Sequence, residues 1–187
     1  MKTVILLRHA KSSWSDPDLD DHDRPLNKRG KAAAPAIAEW LGRSGYRPDR
    51  VLCSSARRTR QTYKRMRESL TGLPDAVIEP RLYHADPTAM FAIMAEQPED
   101  CESLMLIGHQ PGLSAFARKL VNGHVRPHCT RAFEHFPTAA AAVMTLPLDA
   151  WAGLSPSSAD FIDFAVPREL TARGEPIALD EGAHPST

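Results

Sequence analysis

The sequence lacks the excess of positive charge and the long apolar runs that are typical of proteins that bind nucleic acids or membranes. Its 23 Lys and Arg side chains are matched by 23 of Asp and Glu, so the formal net charge is zero. Zero net charge argues against nucleic acid or an acidic membrane as a partner. No apolar run approaches the about 20 residues of a membrane span, and the run after Met1-Lys2 is too short for a signal peptide. We therefore predict a cytoplasmic protein that binds neither nucleic acid nor membrane.

Cysteine is equally scarce, and the histidines lack a metal-binding spacing. Cys53, Cys101 and Cys129 are odd in number and widely spaced, which fits neither a disulfide framework nor a zinc knuckle. We expect buried, reduced thiols at these positions. His124 and His128 have no third ligand close by in the chain. The sequence therefore predicts no metal site and no cofactor.

Apolar runs alternate with amphipathic stretches along the chain. The runs predict strands over residues 3–7, 51–53, 76–79, 103–108, 138–146 and 160–166, and the amphipathic stretches predict helices over 28–44, 57–70, 88–96 and 111–120. Such alternation is typical of a three-layer α/β sandwich, in which helices flank a mainly parallel central sheet. We predict a single domain over residues 1–167 and a polar, frayed tail over 168–187.

The first predicted strand ends abruptly in Arg8-His9. Residues 3–7 have the pattern of a strand buried on both faces, which has no reason to end in cationic or titrating side chains unless something there uses them. Ligands of open α/β sheets bind outside the carboxyl ends of the strands. We therefore predict that His9 is a nucleophile and that Arg8 clamps an anion beside it.

Two more predicted strands end in groups of the same kind. The second runs into the arginine-rich segment 54–62, and the fourth runs into His109. If these strands are parallel to the first, the groups meet at one edge of the sheet, where guanidinium forks match the oxygens of a phosphoryl group. A neutral His9 imidazole could accept that phosphoryl group. Arg8, Arg58 and His109 would balance the charge of its oxygens, so that no metal is needed.

Four segments, in family order, resemble motifs of the histidine phosphatase superfamily, whose fold is phosphoglycerate-mutase-like. Residues 7–12 (Leu-Arg-His-Ala-Lys-Ser) are similar to its Arg-His-Gly signature, and residues 23–30 to its Pro-Leu-Thr-x-x-Gly segment. Residues 54–62 are similar to Ser-Pro-x-x-Arg-Ala-x-Gln-Thr, which places the family's second arginine on Arg58. Residues 107–112 resemble the segment around its second catalytic histidine. The details are closest to the bacterial phosphohistidine phosphatases of the SixA type.

This resemblance covers residues 1 to about 167 and implies roles for four residues. It implies that His9 becomes phosphorylated during the reaction. It also implies that Arg8, Arg58 and His109 bind the phosphoryl group. The implied partner is a phosphorylated protein or a small phosphorylated molecule.

The chain departs from the family pattern at three positions. Ala10 replaces the signature glycine and Ser55 replaces the usual proline, and both changes are small. Many family members carry a glutamate proton donor just past the third strand, where this chain has His84. A general acid speeds the departure of an alkoxide by about 10²–10⁴-fold, whereas an imidazole leaving group needs less help. The difference favours phosphoramidate over sugar-phosphate substrates, and it leaves His84 open as proton donor, substrate contact or neither.

Further candidates flank these motifs. Residues 14–24 form an acidic loop, for which exposure to solvent is the default interpretation. Because the loop directly follows Arg8-His9, it also suits a mobile rim that controls access to the site. Four polar residues are candidates to line a phosphate or substrate pocket, and each also has an ordinary capping or loop interpretation. They are Lys11, Ser12, Asn27 and Gln110.

Three functions remain open at this point. The first is hydrolysis of phosphohistidine in a protein or peptide through a covalent phosphohistidine intermediate on His9. The second is a small-molecule phosphomonoester phosphatase or mutase of the same fold, although the chain lacks the glutamate and the insertions that a mutase needs. The third is a non-catalytic module that binds phosphate, which the four retained residues disfavour. No Cys-x5-Arg loop is present, which excludes the cysteine-dependent tyrosine phosphatases. The oligomeric state is left open.

Overall fold

The computed structural model describes residues 1–170, which fold around one seven-stranded sheet. The strands are β1 (Lys2–Arg8), β2 (Arg50–Cys53), β3 (Ala76–Ile78), β4 (Ser103–Gly108), β5 (Val121–Val125), β6 (Ala141–Leu146) and β7 (Ala159–Ala165). The helices are α1 (Lys28–Arg43), α2 (Arg57–Ser69), α3 (Pro87–Ala95) and α4 (Gly112–Leu120). Short 3₁₀ turns lie at Asp21–Asp23, Pro80–Leu82, Pro127–Phe133, Trp151–Gly153 and Pro167–Glu169.

The strand order is β3-β2-β4-β1-β6-β7-β5. Strands β3, β2, β4 and β1 are mutually parallel, as are β5 and β7, whereas β6 runs antiparallel to both of its neighbours. The predicted α/β fold with a mainly parallel sheet is therefore confirmed. Arg8 is in register with Gly108, and Cys53 with Ile107, so the residues that follow β1, β2 and β4 emerge at the same edge.

Strand β1 is buried on both faces, as its unbroken apolar run predicts. Val4 and Leu6 belong to one apolar core, which also holds residues of α3 and α4, while Ile5 and Leu7 belong to a second core with residues of α1 and α2. All four side chains are fully buried. Burial of one such side chain stabilises a fold by about 1.5–3 kcal/mol, so β1 holds the two helical layers to the sheet.

Helix α1 begins where the chain returns to the end of β1. The Asn27 side chain caps the helix by accepting a hydrogen bond from the Gly30 amide at 2.9 Å, and the Asn27 amide donates to the Lys11 carbonyl at 3.0 Å. A Cβ atom at Gly30 would lie 2.1 Å from the Lys11 carbonyl oxygen. Only glycine fits this close approach, which ties the second motif to the first.

The structure differs from the predicted elements at the sheet edge and at the start of β6, and the other bounds agree to within one residue. Strand β5 was not predicted, because its Val-Asn-Gly-His-Val sequence is polar and partly exposed at the sheet edge. The strand predicted over 138–146 begins at Ala141, because the Ala139 amide instead donates to the carbonyls of Arg8 and His9. The strand predicted over 76–79 ends at Ile78.

Two predictions concern the domain as a whole. The single-domain assignment over residues 1–167 stays a prediction. The tail predicted over 168–187 lies outside the described residues from position 171 onward, and before it Pro167–Glu169 form a 3₁₀ turn. Within residues 1–170 no helix is both long and apolar enough to cross a membrane.

Candidate active site

Three side chains from separate parts of the chain converge at the carboxyl edge of the sheet. His9 follows β1, His109 follows β4, and Arg58 lies in the first turn of α2, which itself follows β2. The imidazole centroids of His9 and His109 are 5.2 Å apart. The Arg58 guanidinium lies between the two rings, with Nε donating to His9 Nε2 and Nη2 donating to His109 Nδ1, both at 3.3 Å. All three side chains are buried.

Arg8 stands beside this group with an incomplete set of partners. Its Nη1 donates to the Phe136 carbonyl at 2.8 Å. Its Nε is buried and has no hydrogen-bond partner within residues 1–170. A buried donor without a partner costs free energy, which is expected where an anionic ligand completes the site. Burial, together with the nearby charge of Arg58, lowers the pKa of Arg8.

Hydrogen bonds determine which ring nitrogen of His9 carries the proton. Its Nδ1 lies 2.8 Å from the Ala10 carbonyl, and because a carbonyl only accepts, Nδ1 carries the proton. The unprotonated Nε2 therefore faces Arg58. The Ala10 amide donates to Thr62 Oγ1 at 2.9 Å, and Thr62 Oγ1 donates to the Arg58 carbonyl at 2.7 Å. These contacts tie the His9 backbone to α2.

The tautomer of His109 follows from the same reasoning. A guanidinium can only donate, so His109 Nδ1 accepts from Arg58 and His109 Nε2 carries the proton. That Nε2 lies 2.8 Å from Ser54 Oγ, which accepts the hydrogen bond. Ser54 is fully buried at the end of β2. The ring of His109 is thus held between Ser54 and Arg58.

Both imidazoles are neutral at physiological pH. Burial lowers the pKa of His9 to about 4, and the charges of Arg58 and Arg8 act in the same direction. Burial lowers the pKa of His109 to about 2, with further contributions from His9 and Arg58. Desolvation and nearby cations both disfavour an imidazolium. A neutral imidazole with a free Nε2 is the nucleophilic form of histidine.

Asp21 brings one carboxylate into this basic group. Its Oδ2 accepts from Tyr83 Oη at 2.8 Å and from Arg58 Nη2 at 2.9 Å, and its Oδ1 accepts from Arg24 Nη1 at 2.8 Å. Partial burial alone would raise the pKa of Asp21. The hydrogen bonds from Tyr83 and Arg24 and the charge of Arg58 outweigh burial and hold this pKa well below its usual range. Asp21, whose side chain is 40% exposed, thus combines partial exposure to solvent with contacts to the site.

Arg24 anchors the acidic loop to the residues that follow β1. Its side chain is buried, and it donates through Nε to the Ser13 carbonyl at 3.0 Å and through Nη2 to Ser12 Oγ at 2.6 Å. The Trp14 ring stacks on the Arg24 guanidinium, with 3.1 Å from Cζ to the ring centroid. Such a cation–π contact adds about 0.5–1 kcal/mol at an exposed site. These contacts join the loop to the residues that follow β1, and Asp21 extends the loop to the candidate site.

His84 lies on the outer side of His109. The two rings are stacked, with 5.7 Å between centroids and 4° between planes. His84 Nε2 is 3.4 Å from Asp21 Oδ2, and its side chain is 58% exposed. A cavity of about 170 Å³ opens between His84, His109 and Gln110. His84 therefore borders a cavity on the outer side of His109.

The four lesser candidates have local partners or lie apart from this cluster. Asn27 caps α1, and Ser12 accepts from Arg24. Gln110 Oε1 accepts from the Ser114 amide at 2.9 Å. Lys11 is exposed and lines another cavity, together with Arg29 and Arg168. Their contacts with substrate stay a prediction.

Sequence reasoning missed three residues of the site. Asp21 stands among several aspartates of one loop, and nothing in their spacing distinguishes it. Tyr83 lies beside His84 without a sequence pattern of its own, and Ser54 has no signal apart from the motif that contains it. The available signal was the motif itself, because Ser54 opens the segment that carries Arg58.

No cluster of three or more histidine, cysteine, aspartate or glutamate side chains in residues 1–170 could hold a metal ion. The positive charge at the site comes instead from guanidinium groups.

Comparison with known proteins identifies the family of this chain. The family described as histidine phosphatase superfamily (branch 1) matches residues 4–88, a range that includes Arg8, His9 and Arg58. The SixA protein from Agrobacterium tumefaciens is 32% identical, with 88% of this chain and 97% of that chain covered at a TM-score of 0.74. The SixA protein from Nakamurella multipartitia is 30% identical, with 89% and 96% covered at a TM-score of 0.75.

An uncharacterised protein from Mycobacterium tuberculosis is 36% identical over 165 residues, which are 87% of this chain and 100% of that protein. The chain therefore belongs to the histidine phosphatase superfamily, and within it to the SixA type. It is a phosphatase, and its substrates are phosphorylated compounds. Mycobacterial glucosyl-3-phosphoglycerate phosphatase shares the fold alone, with a TM-score of 0.60 at 17% identity.

Proposed function

We propose that the protein hydrolyses phosphohistidine in a protein or peptide through a covalent intermediate on His9. The observation that carries the proposal is the convergence of His9 Nε2, Arg58 and His109 at one sheet edge. His9 Nδ1 is engaged by the Ala10 carbonyl, so the free Nε2 is the atom that would attack.

In the first step, His9 Nε2 forms a bond to phosphorus while the phosphorus–nitrogen bond of the substrate breaks. The leaving imidazole, which solvent protonates on its other ring nitrogen before the bond breaks, keeps the electron pair of that bond and departs as a neutral ring. Arg58 Nε and Nη2 lie 3.3 Å from the imidazole nitrogens, at the long end for hydrogen bonds, which leaves both groups able to donate to phosphoryl oxygens. Arg8 Nε, buried without a partner within residues 1–170, supplies a further donor. These fixed donors stabilise the transferring phosphoryl group without a metal.

In the second step, water attacks phosphorus, the bond to His9 Nε2 breaks, and inorganic phosphate leaves. His9 returns to its neutral form because burial and the nearby guanidinium groups keep its pKa at about 4. The cycle thus uses His9 as a carrier that splits one displacement into two easier ones.

The proton-donor position supports phosphohistidine as the substrate. A phosphomonoester releases a poor alkoxide leaving group and depends on a general acid, whereas an imidazole leaving group accepts a proton on its own ring. His84, which borders the cavity beside His109, stands in place of the family's glutamate. The SixA proteins of A. tumefaciens and N. multipartitia also carry the name phosphohistidine phosphatase as a provisional assignment.

A substrate panel tests the proposal. We expect kcat/KM for a phosphohistidine peptide to exceed that for a phosphoserine peptide and for glycerol phosphate, both of which release alkoxides, by at least about 10-fold. Protein denatured in alkaline detergent, where the phosphorus–nitrogen bond is stable, should carry ³²P label from the phosphohistidine substrate, and His9→Ala should remove the label and lower kcat by at least about 10³-fold.

His124→Ala is the matched control, because His124 is exposed on β5 at the far edge of the sheet. Faster turnover of the phosphomonoesters would identify a small-molecule phosphatase instead. Phosphate binding without turnover or label would identify a binding module.

A further inference from the structure

We propose that Asp21 is a positioning residue, which holds the Arg58 guanidinium in the orientation that faces His9 and His109. This inference rests on the proposed function of the site. Arg58 donates twice to Asp21, through Nη1 to the backbone carbonyl at 2.5 Å and through Nη2 to Oδ2 at 2.9 Å. With this side of the guanidinium held, its Nε is directed at His9 Nε2.

Arg58 needs such a partner because its position is electrostatically unfavourable. It lies in the first turn of α2, where the helix dipole is positive and cations are disfavoured. Its side chain is only 4% exposed and is close enough to Arg8 for the two charges to interact. Within residues 1–170, Asp21 is the one carboxylate that forms an ion pair with Arg58. Removal of that carboxylate would leave a nearly buried guanidinium without a counter-charge.

Asp21 is itself held from two other directions. Arg24 donates to its Oδ1, and Arg24 is fixed by Ser12, Ser13 and the Trp14 ring. Tyr83 Oη donates to Oδ2. The carboxylate therefore links the acidic loop to Arg58 through hydrogen bonds on both of its oxygens. Fixed geometry of this kind matters because a displacement of about 1 Å at a catalytic group can cost about 10²-fold in rate.

The protonation state of Asp21 excludes a second interpretation. Its hydrogen bonds hold its pKa well below the usual range, so the carboxylate has no proton to donate at neutral pH. Asp21 therefore does not replace the glutamate proton donor that the family pattern lacks here. Its action goes through Arg58.

A third interpretation makes the opposite prediction. If the Asp21 carboxylate only repelled the phosphoryl group or competed with it for Arg58, its removal would tighten phosphate binding and speed turnover. If it positions Arg58, its removal weakens phosphate binding and slows turnover. The sign of the effect separates the two.

The experiment compares Asp21→Asn with Asp18→Asn, which removes the same charge from an exposed position of the same loop. The readouts are kcat and KM for a phosphohistidine peptide and the dissociation constant of inorganic phosphate by calorimetry. We expect Asp21→Asn to lower kcat by at least about 10-fold and to weaken phosphate binding, with Asp18→Asn unchanged. Tyr83→Phe, which removes one hydroxyl from the same link, should have a smaller effect in the same direction.

A double-mutant cycle shows whether Asp21 acts through Arg58. In an Arg58→Ala background, Asp21→Asn should have little further effect on kcat, because the group it positions is gone. Effects that multiply independently would overturn the proposal, as would an Asp21→Asn protein that equals Asp18→Asn or binds phosphate more tightly. Wild-type protein that neither binds phosphate nor turns over any phosphorylated compound would overturn both this inference and the proposed function.

Discussion

The imidazole rings of His9 and His109 lie 5.2 Å apart and are tilted by 52° to each other. They meet because β1 and β4 are adjacent, parallel and in register, so that both chains leave the sheet at the same point. Arg58 reaches between the rings from α2, which follows the next strand of the sheet. Four predictions test what this arrangement does.

The first prediction concerns two neighbouring arginines. Arg58→Ala should lower kcat by about 10²–10³-fold, because it removes donors aimed at the phosphoryl oxygens. Arg58→Lys should recover little, since lysine lacks the guanidinium fork. Arg57→Ala is the matched control, because Arg57 is exposed and makes a single long contact with the Asp23 carbonyl. Steady-state kinetics on a phosphohistidine peptide measure all three, and equal losses at the two positions would contradict the assignment.

The second prediction concerns the titration of His9. Its lowered pKa of about 4 means that the imidazole stays neutral through the physiological range and gains a proton only below it. NMR titration of the His9 Cε1–H should show a midpoint near 4 rather than near 6.5. Arg58→Ala should raise this midpoint, because the Arg58 charge helps to lower it. A wild-type midpoint near 6.5 would show that the ring is not desolvated.

The third prediction concerns the hydrogen bond between Ser54 and His109. Ser54→Ala leaves the His109 Nε2–H without its buried acceptor, which should cost about 1–3 kcal/mol of unfolding free energy. It should also lower kcat, because the ring loses its orientation. Ser55→Ala is the control, since the Ser55 hydroxyl forms a hydrogen bond with the partly exposed His22 and its loss should change stability by less than about 0.5 kcal/mol. Urea unfolding measures both, and indistinguishable midpoints would count against the described tautomer.

The fourth prediction concerns His84 and the leaving group. If His84 donates a proton, His84→Gln should slow alkyl phosphates with poor leaving groups by up to about 10²–10⁴-fold, and phosphohistidine much less. The reason is that only the alkoxide depends on the donor. Rates across a series of phosphate esters of increasing leaving-group pKa measure the dependence. A uniform effect on all substrates would assign His84 to substrate contact instead.

Much of the site could be predicted from sequence because its parts are local patterns. The buried run of β1 and the Arg8-His9 pair at its end are adjacent in the chain, and so are the Ser54 to Thr62 segment and the Gly108-His109 pair. Each pattern marks the end of one strand, and parallel neighbouring strands place these ends at the same edge of the sheet. The α/β fold and the resemblance to the histidine phosphatase superfamily were confirmed on that basis. Edge strand β5 was not predicted because a partly exposed strand lacks the run of apolar residues that marks a buried one.

The sequence by itself determined which residues have suitable chemistry and which elements carry them, because those properties depend on neighbours along the chain. Only the tertiary structure decided which aspartate of the 14–24 loop reaches Arg58, and which nitrogen of His9 is free. These outcomes depend on hydrogen bonds across space, such as those of Asp21 with Tyr83 and Arg58. Several aspartates of one loop are chemically equivalent until packing places one of them against a buried guanidinium.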